Sequence, residues 1–289
     1  MTQPKSVYET AVAILRLIRP TNSLMMGVAV IIGEIAVLGR IPSLFEMALG
    51  FSVSFFLTAS SMAMNDYVDL EIDRVNQPDR PLPSGVISKT AALTISALTG
   101  AIGIISAFPF REGAVFLAVL TFVTSALYNL YGKKTGIWGN LMVSYCVAMP
   151  FLYGGIVILG SVNVTSVAFF LLAFLANTGR EVTKGIADTE GDKLRGIRTV
   201  ALVRGEKTAA LVSALFYLTA VAITPLPYVF GQLGLAYVLL VLPVDAGFAY
   251  SSYRIIKESG RVPALKIKTQ VRYWMILALV AFLAGGLLR

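Results

Sequence analysis

The 289-residue chain contains no histidine and a single cysteine, Cys146, and only 14% of its residues are charged. These absences exclude haem ligation through histidine, cysteine- or histidine-rich zinc and iron–sulfur sites, and a Ser-His-Asp triad. One cysteine cannot form a disulfide within the chain, so cysteine content does not indicate a redox compartment. Catalysis or metal binding therefore depends on a small set of carboxylates, amides, hydroxyls and basic side chains.

Apolar residues are abundant: they make up 56% of the chain, and the mean hydropathy is +0.77. About 20 consecutive apolar residues suffice to cross a bilayer. We therefore predict a single all-α, polytopic membrane domain over residues 1–289, with nine transmembrane helices. The predicted spans cover residues 20–39, 44–65, 91–108, 112–131, 138–158, 164–185, 208–226, 229–250 and 271–288.

Basic residues alternate between the two sides of these spans. All but three of the 24 Lys and Arg residues lie before the first span, or between the last turns of an even-numbered span and the first turn of the next, and the exceptions are Arg40, Arg111 and Arg289. Because short cytoplasmic loops collect Lys and Arg, we predict an integral protein of the cell membrane with a cytoplasmic N terminus and an external C terminus. The net charge of +8 thus reflects membrane orientation and does not indicate nucleic acid as a partner.

The segment before the first span has apolar residues at near-helical spacing, from Val7 and Ala11 to Ile18. It lacks the short apolar core and cleavage site of a signal peptide, so we expect none. Two interpretations remain open. The segment is either an amphipathic helix lying along the cytoplasmic interface or an extension of the first span.

Two acidic motifs stand out in this apolar chain. Each places three polar side chains at i, i+4 and i+8, on one face of a helix. The first motif consists of Asn65, Asp69 and Asp73, and the second of Lys184, Asp188 and Asp192. They open the polar regions 65–90 and 180–207, which lie on the predicted cytoplasmic side and four spans apart. This offset predicts two four-helix pseudo-repeats plus a ninth helix, with the motifs facing each other across a central cavity.

Carboxylate and amide oxygens are hard ligands that suit Mg²⁺, Mn²⁺ or Ca²⁺. Mg²⁺ completes its coordination with water and substrate phosphate oxygens, so two facing carboxylate sets fit a metal-bridged diphosphate. Basic side chains near the motifs would neutralise the remaining phosphate charge. They are Arg19, Arg74, Lys133 and Lys184. The alternative interpretation is that the motifs are ordinary solvated helix ends.

Asn65-Asp66-x-x-Asp69-x-x-x-Asp73 resembles the first signature of the UbiA superfamily of intramembrane prenyltransferases, and Lys184-x-x-x-Asp188-x-x-x-Asp192 resembles the second. A segment from Tyr128 to Lys134 is similar to the Tyr and Lys pair of that family. The resemblance extends over essentially the whole chain. It implies Mg²⁺-dependent transfer of a prenyl group from its diphosphate to an acceptor.

Many family members have a tyrosine four residues before the lysine of the second motif, where this chain has Arg180. The segment from Arg180 to Asp192 and the segment from Arg19 to Met26 instead resemble the archaeal lipid branch, the digeranylgeranylglyceryl phosphate synthases. That branch implies transfer of a geranylgeranyl group to the hydroxyl of geranylgeranylglyceryl phosphate. An aromatic prenyltransferase of quinone biosynthesis, with a hydroxybenzoate or naphthoate acceptor, remains the alternative.

The resemblance also implies roles for individual residues. Two Mg²⁺ ions would be held, one by Asn65, Asp69 and Asp73 and the other by Asp188 and Asp192. The residues expected to bind the diphosphate or the acceptor are Arg19, Asn22, Arg74, Lys133, Arg180 and Lys184. Lys184 would also stabilise the leaving group, and either Asp66 or Tyr128 would orient the acceptor or take its proton.

A membrane transporter is the rival from another functional class. Transporter sites lie near the bilayer midplane, whereas these carboxylates cluster at predicted cytoplasmic helix ends, so the active site is expected to open there. Two acidic residues inside spans, Glu34 and Asp245, should face the protein interior because a charge facing lipid is costly. Beyond membrane lipids and the substrates, no feature indicates an obligate protein partner.

Overall fold

The computed structural model describes residues 7–194 and 196–288, and the regular structure within them is helical throughout. The helices are α1 (Val7–Ile18), α2 (Pro20–Leu38), α3 (Leu44–Val68), α4 (Leu70–Asn76), α5 (Lys89–Ile105), α6 (Glu112–Leu130), α7 (Ile137–Leu159), α8 (Val164–Ala187), α9 (Thr189–Leu194), α10 (Val200–Arg204), α11 (Glu206–Ile223), α12 (Leu226–Val229), α13 (Leu235–Lys257) and α14 (Arg261–Leu287). A short 3-10 turn, Gly132–Lys134, follows α6. The all-α prediction is confirmed.

Seven helical segments of the described chain are long and apolar enough to cross a membrane. They are α2, α3, α6, α7, α11 with α12, α13 and α14. The remaining two predicted ranges are also helical: α5 is apolar but has only 17 residues, and α8 carries charged residues in its last two turns. The chain therefore has several apolar helices in the predicted places, while the number of nine spans stays a prediction.

The N-terminal segment forms a separate helix. Arg19 adopts a left-handed conformation with φ of 47°, and Pro20 then begins α2. Proline fits the first position of a helix but interrupts a continuing one. The interpretation of α1 as an extension of the first span is therefore wrong. One face of α1 buries Ala13 and Leu17 in a cluster with Ala63 and Leu70.

The long helices pack in the same sequential order in both halves of the chain. In the first half α2 contacts α3, and α3 contacts α5; in the second half α7 contacts α8, and α8 contacts α11. Contacts of α7 with α2 and α6 join the halves, and α14 contacts both α2 and α8. Both α3 and α8 end at an aspartate, Asp69 and Asp188, and a short helix follows each. This parallel is consistent with the predicted pseudo-repeats.

Glycines allow the backbones of α2 and α7 to approach closely where the halves meet. A Cβ atom on Gly154 would lie 2.4 Å from the carbonyl oxygen of Val30, and one on Gly33 would lie 2.8 Å from that of Phe151. Small residues at such contacts are typical of membrane helix packing. Glu34, one residue beyond Gly33, is fully buried, as expected.

Candidate active site

A cavity of about 680 Å³ lies among α2, α3, α6, α7, α8, α11, α13 and α14. On α3 its lining extends from Asn65 to Val53, which is about 18 Å along a helix axis. Polar groups gather at the end of the cavity next to the acidic motifs: Arg19, Asn22, Asn65, Tyr128, Arg180, Lys184 and Arg272. Most of the remaining wall is apolar, although Asp245 also lines it, as expected for an acidic residue facing the interior.

Asn65 and Asp69 of the first motif are oriented by residues distant in sequence. The side-chain nitrogen of Asn65, Nδ2, donates a hydrogen bond of 3.1 Å to Asn129 Oδ1. This leaves the side-chain oxygen of Asn65, Oδ1, for a ligand. Asn129 is 1% exposed and donates in turn to the Ser61 and Ser125 carbonyl oxygens. Lys133 Nζ donates to Asp69 Oδ1 at 2.5 Å.

The other two aspartates of this region form an ion-pair network that does not line the cavity. Asp66, which is 2% exposed, accepts from Arg19 Nη2 at 2.6 Å and from Arg80 Nη1 at 3.4 Å. Arg80 Nη1 also lies 2.5 Å from Asp73 Oδ2. The predicted role of Asp66 at the acceptor gains no support from this position, because its carboxylate is directed at two guanidinium groups. Asp73, predicted as a metal ligand, is likewise directed at Arg80.

Arg74 does not reach the cavity. Its guanidinium pairs with Glu71 at 2.8 Å, one turn away on α4, and both side chains are largely exposed. The predicted role of Arg74 in substrate binding gains no support from this position, because α4 turns the side chain toward solvent. Arg80 is the arginine of this region that contacts the first motif.

Glu181 joins Lys184 of the second motif to Arg180, one turn earlier on α8. Arg180 Nη1 donates to Glu181 Oε1 at 3.0 Å, and Lys184 Nζ donates to Glu181 Oε2 at 3.2 Å. Arg180 and Lys184 both line the cavity. Glu181 has no assigned place in the second motif, although its spacing of three residues from Lys184 is that of a helical ion pair.

The first turns of α14 bring further basic residues to the second motif. Lys268 Nζ donates to Asp188 Oδ1 at 3.3 Å, and Arg272 lines the cavity. Asp192 follows on α9, where its backbone N–H donates to the Asp188 carbonyl oxygen at 2.9 Å. The sequence does show that Lys268 and Arg272 share one face of a helix, because they stand four residues apart where the last predicted span begins.

The donor atoms fit Mg²⁺ that arrives together with a diphosphate. Within residues 7–194 and 196–288, no three His, Cys, Asp or Glu side chains converge as a metal cluster. Mg²⁺, however, commonly takes only one or two protein carboxylates and completes its shell with water and phosphate oxygens. Asp69 and Asp188 each contact a lysine through Oδ1. Asn65 adds an amide oxygen near Asp69.

Known prenyltransferases are similar in sequence to most of this chain. The model of the UbiA prenyltransferase family matches residues 26–276. Digeranylgeranylglyceryl phosphate synthase of Thermococcus kodakarensis is 37% identical over 277 residues, which cover 96% of this chain and 99% of the relative. The Methanopyrus kandleri enzyme of the same name is 37% identical over 273 residues, covering 94% and 98%.

Solved structures share the architecture. A structure of digeranylgeranylglyceryl phosphate synthase aligns with a TM-score of 0.88 at 31% identity, covering 97% of this chain and 100% of the other. A UbiA homologue from Archaeoglobus fulgidus bound to DMAPP and Mg²⁺ aligns with a TM-score of 0.71, covering 92% and 98%. Its identity of 19% makes it evidence for the fold alone.

Proposed function

This chain belongs to the UbiA prenyltransferase family, and we propose that it transfers a geranylgeranyl group from its diphosphate to the hydroxyl of geranylgeranylglyceryl phosphate. The family match confirms the resemblance drawn from the two motifs. The observation that carries the proposal is a cavity in which basic and amide groups at one end continue into a long apolar wall. Such a cavity suits a substrate with an anionic head and an isoprenoid tail.

We assign the diphosphate to the polar end of the cavity. Asn65, Asp69 and Asp73 would hold one Mg²⁺, and Asp188 and Asp192 the other. Asp73 has the weakest support because its carboxylate pairs with Arg80. The bound metal would supply positive charge to the leaving diphosphate. Lys133 and Lys184 would also stabilise the leaving diphosphate, together with Arg19, Asn22 and Arg180, which line the polar end of the cavity.

The reaction exchanges one C–O bond for another. The allylic C–O bond of the donor breaks with its electron pair leaving on the diphosphate, and the acceptor oxygen forms the ether as its proton is lost. The apolar wall, including Leu57, Leu172 and Phe282, keeps water from the allylic cation. Of the two residues expected at the acceptor, Tyr128 lines the cavity and Asp66 does not.

We expect the substitution Tyr128→Phe to lower kcat by roughly 10²-fold, the usual contribution of a positioned acid–base or orienting group. The ring keeps its packing, so the protein should fold normally. Tyr131→Phe is the control, because Tyr131 is 68% exposed and does not line the cavity. Equal turnover in the two variants would remove Tyr128 from the mechanism.

The proposed membrane arrangement has nine spans, formed by two four-helix pseudo-repeats and a ninth helix within one domain. The N terminus would be cytoplasmic, the C terminus external, and the cavity would open to the cytoplasm. The distribution of Lys and Arg along the chain supports this orientation. The parallel ends of α3 and α8 at Asp69 and Asp188 support the repeat.

The decisive experiment offers the purified protein geranylgeranyl diphosphate with either geranylgeranylglyceryl phosphate or 4-hydroxybenzoate, followed by mass spectrometry. We expect an ether with the lipid phosphate, and we expect chelation by EDTA to abolish product until Mg²⁺ is restored. Product with the phenolic acid alone would instead establish the quinone-type alternative. Counterflow of a substrate in liposomes without any product would indicate a transporter.

A further inference from the structure

The cations that line the cavity differ in whether the protein already neutralises them. They are Arg19, Arg180, Lys184 and Arg272. Arg19 pairs with Asp66, and Arg180 and Lys184 share Glu181. Among these four, Arg272 alone has a side chain that forms no hydrogen bond or ion pair with any other part of the chain that the structure describes. The residue is exposed, and its guanidinium keeps its full capacity for an anion.

Arg272 lies one helical turn from a residue that contacts the second acidic motif. Lys268, four residues earlier on α14, contacts Asp188. Residues four apart lie on the same face of a helix, so Arg272 stands about one helical turn, roughly 5.4 Å, from that contact along the axis. Arg272 lies on the cavity side of the contact between Lys268 and Asp188. From Lys268, α14 continues toward the apolar part of the cavity, which it lines with Leu279 and Phe282.

Two anions must share this cavity if the proposed function holds. The donor carries a diphosphate and the acceptor carries its own phosphate, and like charges repel strongly where the dielectric constant is low. The acceptor phosphate therefore needs a cation that neither the acidic motifs nor Glu181 has neutralised. A guanidinium is suited to this task because its planar fork binds two phosphate oxygens at once.

We propose that Arg272 binds the phosphate of the acceptor, at a subsite distinct from that of the donor diphosphate. A glycerol that carries one ether and one phosphate has its free hydroxyl within two carbons of the phosphate-bearing carbon. Anchoring the phosphate one turn from Asp188 thus brings the hydroxyl toward the reacting end of the donor. The inference rests on the proposed function, and it leaves Arg180 with the donor diphosphate.

The test compares Michaelis constants for the two substrates in Arg272→Met, Arg272→Lys and the control Lys266→Met. Lys266 is an exposed cation on the same helix that does not line the cavity. For Arg272→Met we expect the KM for geranylgeranylglyceryl phosphate to rise roughly 10- to 100-fold, as for the loss of a charged hydrogen bond. The KM for the donor should change less than about twofold. Arg272→Lys should be intermediate because lysine keeps the charge without the fork.

A second readout uses geranylgeranylglycerol, the acceptor without its phosphate. The wild-type protein should prefer the phosphorylated acceptor, and Arg272→Met should lose that preference while Lys266→Met keeps it. An unchanged KM for the phosphorylated acceptor in a folded Arg272→Met protein would overturn the inference. An equal rise in the KM of the donor would also overturn it, because Arg272 would then belong to the diphosphate subsite.

The two proposals fail in different ways. If the wild-type protein makes no ether from geranylgeranylglyceryl phosphate, the proposed function is wrong, whatever the variants do. Direct binding of that lipid, measured by native mass spectrometry in detergent, then still tests Arg272. Weaker binding to Arg272→Met than to Lys266→Met supports the subsite, and equal binding contradicts it. If Arg272→Met does not fold, Arg272→Lys and Arg272→Gln serve in the same comparison.

Discussion

Replacing Asp69 by alanine is expected to lower kcat by about 10³-fold or more, and Asp188→Ala should have an effect of the same order. A catalytic metal supplies several kcal/mol of charge stabilisation to a leaving group, and a loss of about 4 kcal/mol corresponds to that factor. Both carboxylates are partly exposed, at 23% and 39%, and each contacts one lysine. Their removal should therefore leave the fold intact.

The measurement is Mg²⁺-dependent product formation by the purified variants, with folding checked by thermal unfolding in detergent. Asp79→Ala is the matched control, since Asp79 is an exposed carboxylate in the segment after α4 and does not line the cavity. It should retain wild-type turnover. Near-normal Mg²⁺-dependent activity of Asp69→Ala or Asp188→Ala would remove that residue from the metal site.

The largest expected effect on stability comes from Arg80→Met. This change leaves the carboxylates of Asp66 and Asp73 buried without the cation that bridges them, although Asp66 keeps Arg19. Breaking a buried pair by removing one partner costs about 3–5 kcal/mol, because an uncompensated charge stays in a low-dielectric environment. Arg74→Met is the control, because its exposed pair with Glu71 should contribute about 1 kcal/mol or less.

Both variants can be compared by titration with SDS or by thermal unfolding in the same detergent. A triple variant, Arg80→Met with Asp66→Asn and Asp73→Asn, should regain much of the lost stability, since the buried charges are then removed together. If Arg80→Met and Arg74→Met unfold alike, the network does not hold the first motif in place. If only activity is lost, Arg80 belongs to the catalytic site.

Several site residues were predictable because their spacing alone carries the information. Asn65 and Lys184 are the first residues of their motifs, in which a spacing of four places the members on one face of a helix. Both line the cavity. The surroundings of Asp66 were not predictable in this way. Its place within the first motif suggested a role at the acceptor, and only its two arginine partners, 47 and 14 residues away, show where its carboxylate points.

Contacts between distant segments could not be predicted. Asp69 meets Lys133 across 64 residues, and Asp188 meets Lys268 across 80 residues. Glu181 lies within the second motif region, yet nothing in the local pattern distinguishes a carboxylate that joins two cations from one that faces solvent. The same applies to Arg272, whose importance depends on which other cations of the cavity are already paired.

The amino-acid sequence by itself determined that the chain folds as apolar helices, where those helices lie, and which two polar segments hold the clustered carboxylates. These properties depend on hydrophobicity, charge and helical period, which act over one or two turns or along a single span. Only the tertiary structure decided which carboxylates pair with arginine, which contact lysine, and that the side chain of Arg272 is the cavity cation left without a partner in the described chain. Those outcomes depend on which helices pack together, because side chains tens of residues apart interact only when packing brings them within hydrogen-bond distance.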